Sequence, residues 1–338
     1  MWPRGCDARA VKIDRRGTLA VLANVCIWGS TPVLLKDLTA YLPDDPWTAN
    51  GIRYPIAAVL LWPALYLAWR RGDLGSRVLS RALVPAAFAF IGQIFWAAAP
   101  YYIQANAIGF FIKASTIWAV AAAMILFPAE RALLGSPRFG IGLLLAFAGL
   151  VGLSISGGAF SHSVNGQGLA IILLCGVFFG LYGVSVRYFM EGISPLISFG
   201  VVAQYVSAGT VILMVFFGRP GSIGSLSQWG WLLVVSTAVL GVCIAHIFFY
   251  VALLRLGASI TSSFQMLSPF LTSIVAALYL GEKMEGGAWA WAAGSSLVIG
   301  GLCLLWAQND RAGDEGPEAS TQEPQLSSSG EGSSPGSG

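Results

Sequence analysis

Long apolar runs, separated by short polar segments, dominate the pattern of hydrophobic and polar positions along this chain. Each run is close to the ~20 residues that a helix needs to cross a hydrocarbon core of about 30 Å. The runs lack the alternation of barrel strands and are about twice as long. We therefore predict an all-α integral membrane protein with ten transmembrane helices. The predicted spans are 18–35, 54–69, 83–102, 108–127, 139–156, 169–186, 196–217, 229–253, 259–280 and 288–306.

Composition excludes several classes of protein. The chain has 338 residues, of which 56% are hydrophobic and only 10% are charged. A soluble domain carries about 25% charged residues, so this chain could not cover a soluble surface. The net charge of +3 is too small to indicate a nucleic-acid partner. A soluble enzyme, a disordered chain and a nucleic-acid binder are thus excluded, and the lipid bilayer is the expected environment.

The positions of Lys and Arg predict the orientation in the membrane. With the N-terminus in the cytoplasm, fourteen basic residues fall on the inner side and four on the outer side. The nineteenth, Lys113, lies within a span. We therefore predict a multi-pass protein of the cell membrane with both termini cytoplasmic. Residues 1–17 form the N-terminal segment, and the Ser/Gly/Glu-rich residues 307–338 are predicted to be a disordered cytoplasmic tail.

The two halves of the chain resemble each other at a nearly constant offset. Residues 18–156 form the first predicted five-helix repeat and residues 168–306 the second. Because five is odd, the second repeat enters the membrane from the opposite side, which predicts two inverted repeats with a substrate site between them. The matched pairs are Lys113 with Gln265 and Glu130 with Glu282 at an offset of 152, and Gly29 with Gly180 and Lys36 with Arg187 at 151.

Four short motifs within residues 17–306 stand out: Trp28-Gly29-Ser30-Thr31-Pro32, Pro128-Ala129-Glu130, Leu267-Ser268-Pro269 and Leu280-Gly281-Glu282-Lys283. With these motifs the chain resembles the drug/metabolite transporter superfamily, in its EamA-like branch, over roughly residues 17–306. This resemblance implies ten helices in tandem repeats, cytoplasmic termini, and export of amino acids, other metabolites or drugs. One departure is Ile117, which stands where the second repeat has Pro269 and where the family usually has proline.

Enzymatic chemistry is not expected. No Asp or Glu lies in the middle of a predicted span, and the chain has only two histidines, His162 and His246. An intramembrane protease would need buried carboxylates, a cluster of metal ligands or a serine paired with histidine. No GxxxxGK[ST] loop is present, so ATP is not expected as the direct energy source. We expect neither a metal nor a cofactor.

Two ionisable residues inside the spans are candidates for function. Lys113 is predicted to bind an anionic group of a substrate, unless it lies near the outer end and extends to the interface. His246 is a candidate for proton coupling because histidine titrates near neutral pH. Its alternative role is that of a hydrogen-bonded packing residue.

Amides and aromatic rings within the spans form a second group of candidates for substrate binding. Gln93 and Trp96 lie one turn apart, and Gln265 shares a helix face with Ser268. Such groups line small-molecule sites, although Gln and Ser also join helices in membranes. The further candidates for the same wall are Trp28, Tyr182 and Tyr250.

Together, these features predict a secondary transporter that exports a small amphipathic or amino acid-like metabolite by alternating access. The alternative is a non-transporting membrane scaffold or a channel-like protein. A small-molecule substrate and the bilayer are the expected partners, and the sequence leaves a homodimer open.

Overall fold

The computed structural model of the protein describes residues 14–156 and 166–281, and six single positions between 293 and 307. Every regular element in the two long described ranges is helical, which confirms the all-α class. Residues 1–13, most of the tenth predicted span, 288–306, and the predicted tail beyond residue 307 lie outside the described residues. His162 and Glu282 also lie outside them.

Five helices or helix pairs make up the first half. Asp14 begins α1 by accepting a hydrogen bond from the Gly17 amide at 3.0 Å, and Asp45 begins α2 in the same way with Thr48 at 3.0 Å. The two parts of α2 meet at a bend of 43°. The helices are α1 (Arg15–Leu38), α2 (Pro46–Leu60 and Trp62–Arg71), α3 (Ser76–Tyr102), α4 (Ala105–Phe111 and Ala114–Leu126) and α5 (Pro137–Ser156), with a short helix at Pro128–Arg131 and a 3-10 turn at Ala132–Gly135.

The second half repeats this order as far as residue 281. Its helices are α6 (Gly166–Phe189), α7 (Pro195–Phe217), α8 (Gln228–Leu256) and α9 (Ala258–Leu280), with a 3-10 turn at Pro220–Ser225. A π-helical segment, Thr237–Ile244, lies in the middle of α8. In α9, the 3-10 turn Gln265–Leu267 separates Ala258–Phe264 from Ser268–Val275.

Seven of the described helices are long and apolar enough to cross a membrane, and α2 makes an eighth if its two parts form one span. The apolar part of α5, Pro137–Gly149, is shorter. Each of the first nine predicted spans overlaps one of α1–α9, whereas the count of ten stays a prediction. Large apolar side chains are exposed on the outer faces, such as Phe216 at 75% and Leu278 at 83%, as expected where lipid is the solvent.

Helices from the two halves interleave. In the first half, α1 packs against α8 and α9; in the second half, α6 packs against α3 and α4. The helices α2 and α7 also pack against each other. Glycines permit the closest approaches: Gly29 of α1 faces Leu271 of α9, and Gly180 of α6 faces Ala119 of α4.

One boundary differs from the sequence prediction in a way that matters for the site. Span two was predicted to begin at residue 54, which left Arg53 in an outer loop. The helix instead begins at Pro46, since Asp45 caps it and proline suits the first helical turn. Arg53 is therefore two turns inside α2 and only 2% exposed.

Candidate functional site: a cavity between the halves

A central cavity lies between the two halves and takes residues from α1, α2, α3, α4, α6, α8 and α9. About 100 Å³ is open to the centres of water-sized molecules. One water needs roughly 10–15 Å³ on this measure, so the cavity has room for about seven to ten waters. This is enough for the body of a small metabolite.

Six of the predicted binding residues and the proton-coupling candidate line this cavity: Trp28, Gln93, Trp96, Lys113, Tyr182, Gln265 and His246. Tyr250 does not line it. Its hydroxyl lies behind the wall and accepts a hydrogen bond from the Tyr182 hydroxyl at 3.0 Å. Their roles in binding stay predictions.

Aromatic rings form much of the wall. The Trp28 indole donates to the carbonyl of Gly241 at 3.0 Å, which anchors α1 to the π-helical segment of α8. Its ring packs 4.9 Å from Phe249 and 5.0 Å from His246, measured between centroids. Trp96 contacts Phe179 at 6.1 Å. These rings favour a ligand with an apolar or aromatic body.

His246 is fixed in this wall. Its Nδ1 lies 2.8 Å from the carbonyl oxygen of Val242, and its ring stacks on Phe199 at 4.7 Å. Because a carbonyl only accepts, Nδ1 carries the proton and Nε2 is the acceptor of the neutral ring. The contacts match the packing alternative, and the coupling role stays a prediction.

Both α4 and α9 are interrupted where they meet the cavity. The break in α4 falls at Ile112 and Lys113, and the break in α9 falls at the turn Gln265–Leu267. Lys113 and Gln265 are the residues matched by the offset of 152. The break in α4 forms without a proline, since Ile117 stands at the position of Pro269. Interrupted helices at matching positions of two repeats are typical of substrate sites in transporters.

Lys113 lies at this break in α4. It is 7% exposed and lines the cavity. Its side chain makes no ion pair with a described residue, and the half-helix Ala114–Leu126 begins directly after it. Anion binding by Lys113 and its extension to the interface both stay predictions.

Arg53 also lines the cavity, and the sequence analysis missed it. Its Nε donates to the Thr237 hydroxyl at 2.9 Å, and one terminal nitrogen donates to the Asn50 amide oxygen at 2.8 Å. Asn50 in turn donates to Gln93, to the carbonyl at 3.1 Å and to the side-chain oxygen at 3.3 Å. The signal that would have found Arg53 is Asp45-Pro46, a helix start eight residues before it.

Gln265 is held by a second polar contact. Its amide nitrogen donates to the side-chain oxygen of Asn24, and Asn24 donates to the carbonyl of Ala245 at 2.8 Å. The side-chain oxygen of Gln265 has no hydrogen-bond partner among the described residues.

Glu130 lies outside the cavity and joins the halves. Its carboxylate accepts from the amides of Ala258 and Ser259, both at 3.1 Å, at the start of α9, and it pairs with Arg187 of α6. Glu130 therefore caps α9 and holds α6 beside it, although Arg131 is the basic residue next to it in sequence. Arg131 donates to carbonyls of its own chain segment, those of Met124 and Ile125.

Comparison with known proteins decides the family. The model of the EamA-like transporter family matches residues 15–155 and 166–307. The chain belongs to this family. It is a multi-pass membrane protein with two EamA-like repeats. No curated protein sequence matches it. One crystal structure superposes with a TM-score of 0.63 at 19% sequence identity, covering 85% of this chain and 95% of the other; this likeness shows the fold alone.

Residues of two of the motifs found in the sequence line the cavity. Trp28, Thr31 and Pro32 of the first motif line the cavity, as does Ser268 of the third. The described residues hold no cluster of three or more His, Cys, Asp or Glu that could bind a metal ion.

Proposed function

We propose that the protein is a secondary transporter that moves a small amphipathic metabolite across the cell membrane, in the direction of export. The observation that carries this proposal is the pair of interrupted helices, α4 and α9, at matched positions on one aromatic-walled cavity. Family membership supports small-molecule transport. Export is the direction that the resemblance implies, and no catalytic step is proposed.

Reciprocal contacts support alternating access by two inverted repeats. Gly29 faces Leu271, and the residues matching them at 151 and 152, Gly180 and Ala119, also face each other. A twofold axis relating the repeats produces such exchanged contacts. With five spans in each repeat, that axis lies in the membrane plane, and rocking of one repeat against the other exposes the cavity to either side.

A second reciprocal pair lies between α2 and α7. Gly51 packs against Met214, and Gly200 packs against Leu65. A single offset of 149 relates Gly51 to Gly200 and Leu65 to Met214. Two independent pairs argue that the matching is a property of the whole repeat.

Counterflow in proteoliposomes tests the transport function. Ligands are first found by a thermal-shift screen of amino acids and other metabolites, since binding stabilises the folded state. Vesicles loaded with unlabelled ligand should then accumulate labelled ligand, and the rate should saturate. Unsaturated flux would indicate a channel, and no flux would indicate a scaffold.

Topology is tested separately. The proposed cytoplasmic location of both termini rests on the distribution of basic residues. With Arg53 placed inside α2, fourteen basic residues fall on the inner side and three on the outer side. A C-terminal reporter that is active only outside the cytoplasm should stay silent. A strong signal would reverse the proposed orientation.

A further inference from the structure

The charges that line the cavity are unbalanced. Arg53 and Lys113 both face it, and no Asp or Glu in the described part of the chain does so. The two cations are 2% and 7% exposed. Neither forms an ion pair within the described residues, whereas the buried carboxylate of Glu130 is paired with Arg187.

An unpaired cation in the interior of a membrane protein is costly, and such residues normally pair or mark a substrate path. We propose that the cavity binds the negatively charged group of its substrate between Arg53 and Lys113, so that the substrate is a small organic anion with an apolar or aromatic body. This inference rests on the proposed transport function and narrows its substrate class.

Arg53 is oriented for this task by neutral partners. A guanidinium has five N–H donors, and the Thr237 hydroxyl and the Asn50 amide oxygen take two of them. Three donors remain, including both on the second terminal nitrogen. That nitrogen lies 3.9 Å from the point that a Cβ on Gly241 would occupy. Arg53 and Gly241 both line the cavity, and a planar guanidinium can bind a carboxylate or a phosphate through two parallel hydrogen bonds.

Lys113 supplies the second positive charge from the break in α4. An ammonium group has three donors, and no described side chain accepts from this one. The position of Lys113 at the break, between Ala105–Phe111 and Ala114–Leu126, places it on the cavity wall. Both cations belong to the first half of the chain, while the matching residue in the second half, Gln265, is neutral.

The apolar walls and the volume of the cavity determine the type and size of ligand body that fits. Trp28, Trp96 and Phe249 supply apolar walls, and the volume suits about ten heavy atoms. Phenylacetate and phenyl phosphate have this size and one anionic group. Phenylacetamide has the shape of phenylacetate without its charge.

These three compounds are the probes for a binding experiment on the purified full-length protein. Dissociation constants are measured by calorimetry in detergent at neutral pH. We expect an anion to bind about tenfold to hundredfold more tightly than the amide, the range for hydrogen bonds to charged groups. Phenylacetate and phenyl phosphate distinguish a carboxylate from a phosphate as the preferred group.

Variants then show which residues cause the preference for the anion. Lys113→Gln copies the residue of the second half and should remove most of the preference for the anion, as should Arg53→Gln. Arg77→Gln removes an equal charge from an exposed position and should leave the preference unchanged. If Arg53→Gln does not fold, the comparison of anion with amide on the unmodified protein still decides whether the cavity prefers an anionic ligand.

The outcomes separate this inference from the transport proposal. Equal binding of phenylacetate and phenylacetamide, or no binding of either anion at millimolar concentration, overturns the two-cation site. So does an anion preference that survives both Gln substitutions. Saturable counterflow of a neutral ligand together with equal binding would retain the transporter and reject only its anion selectivity. A preference for anions without any counterflow would retain the site and reject transport.

Discussion

The helix contacts that join the two halves, which we call the seam, differ from the wall of the cavity in how closely the matched residues of the two repeats agree. At the seam, contacts are exchanged between matched residues, as in Gly29 with Leu271 and Gly180 with Ala119. At the cavity wall, the matched residues differ in charge, since Lys113 of one half stands against Gln265 of the other. The repeat therefore constrains the packing more closely than the chemistry.

This difference has a physical cause. A glycine at a close helix crossing leaves no room for a larger side chain, so both copies of the crossing need a small residue. A side chain facing a cavity meets space rather than backbone, and its polarity can change without moving a helix. Substitutions at the seam should thus affect stability, whereas substitutions at the wall should affect ligand binding.

The largest effect is expected at the polar part of the seam. Replacing Glu130 with Ala removes the cap of α9 and leaves Arg187, whose side chain is 15% exposed, without this partner. Breaking a buried pair in this way costs about 3–5 kcal/mol. Melting followed by tryptophan fluorescence in detergent should show a clear fall in Tm. Glu191→Gln, at an exposed position, is the control, and equal melting of the two variants would contradict the joining role.

In the apolar part of the seam, replacing the two matched glycines, Gly29 and Gly180, with alanine should reduce stability by different amounts. A Cβ on Gly180 would lie 2.6 Å from the backbone oxygen of Ser115, whereas one on Gly29 would lie 2.8 Å from the Leu271 side chain. Because backbone yields less readily than side chains, Gly180→Ala should destabilise more, by about 1–3 kcal/mol.

Gly140 is the matched control for that ranking. It lies in α5, and a Cβ there would meet no atom within 4 Å. Gly140→Ala should leave Tm unchanged or raise it, since alanine favours a helix. If Gly29→Ala proved the more damaging variant, the described close approach at Gly180 would be wrong.

At the wall, exchanging the matched residues tests whether the position of the charge matters. The double variant Lys113→Gln with Gln265→Lys keeps the net charge but moves it across the cavity and breaks the contact of Gln265 with Asn24. We expect affinity for phenylacetate to fall about tenfold to hundredfold. Calorimetry on the double variant beside both single variants measures this. Restored affinity in the double variant would mean that only the charge counts.

Sequence reasoning found much of this wall because polar residues are rare within apolar spans. Lys113, Gln93 and Gln265 stood out for that reason, and all three line one cavity. Arg53 was missed because apolar content alone placed the start of its span too late. The break in α4 could not be predicted, since no proline marks it. The pairing of Glu130 with Arg187 depends on tertiary contacts between the halves, which local charge patterns do not contain.

The smallest effect concerns hydroxyl groups that bridge the seam. Thr116 of α4 donates to the carbonyl of Ser262 in α9 at 3.0 Å, and Thr272 of α9 donates to the carbonyl of Gly29 in α1 at 2.6 Å. The two threonines do not match each other: at the offset of 152, Thr116 corresponds to Ser268 and Thr272 to Val120. At these hydrogen bonds, as at the cavity wall, the matched residues of the two repeats are of different types, whereas both glycine crossings keep their glycine.

Valine keeps the shape of threonine and removes only the donor. Because hydrogen bonds between membrane helices contribute about 0.6 kcal/mol on average, Thr116→Val and Thr272→Val should each lower Tm only slightly, and equally with or without phenylacetate. Melting curves with and without the ligand measure this. Since both threonines also line the cavity, a loss of ligand stabilisation in either variant would contradict a purely bridging role. It would place the hydroxyl that was removed in the binding site with Lys113.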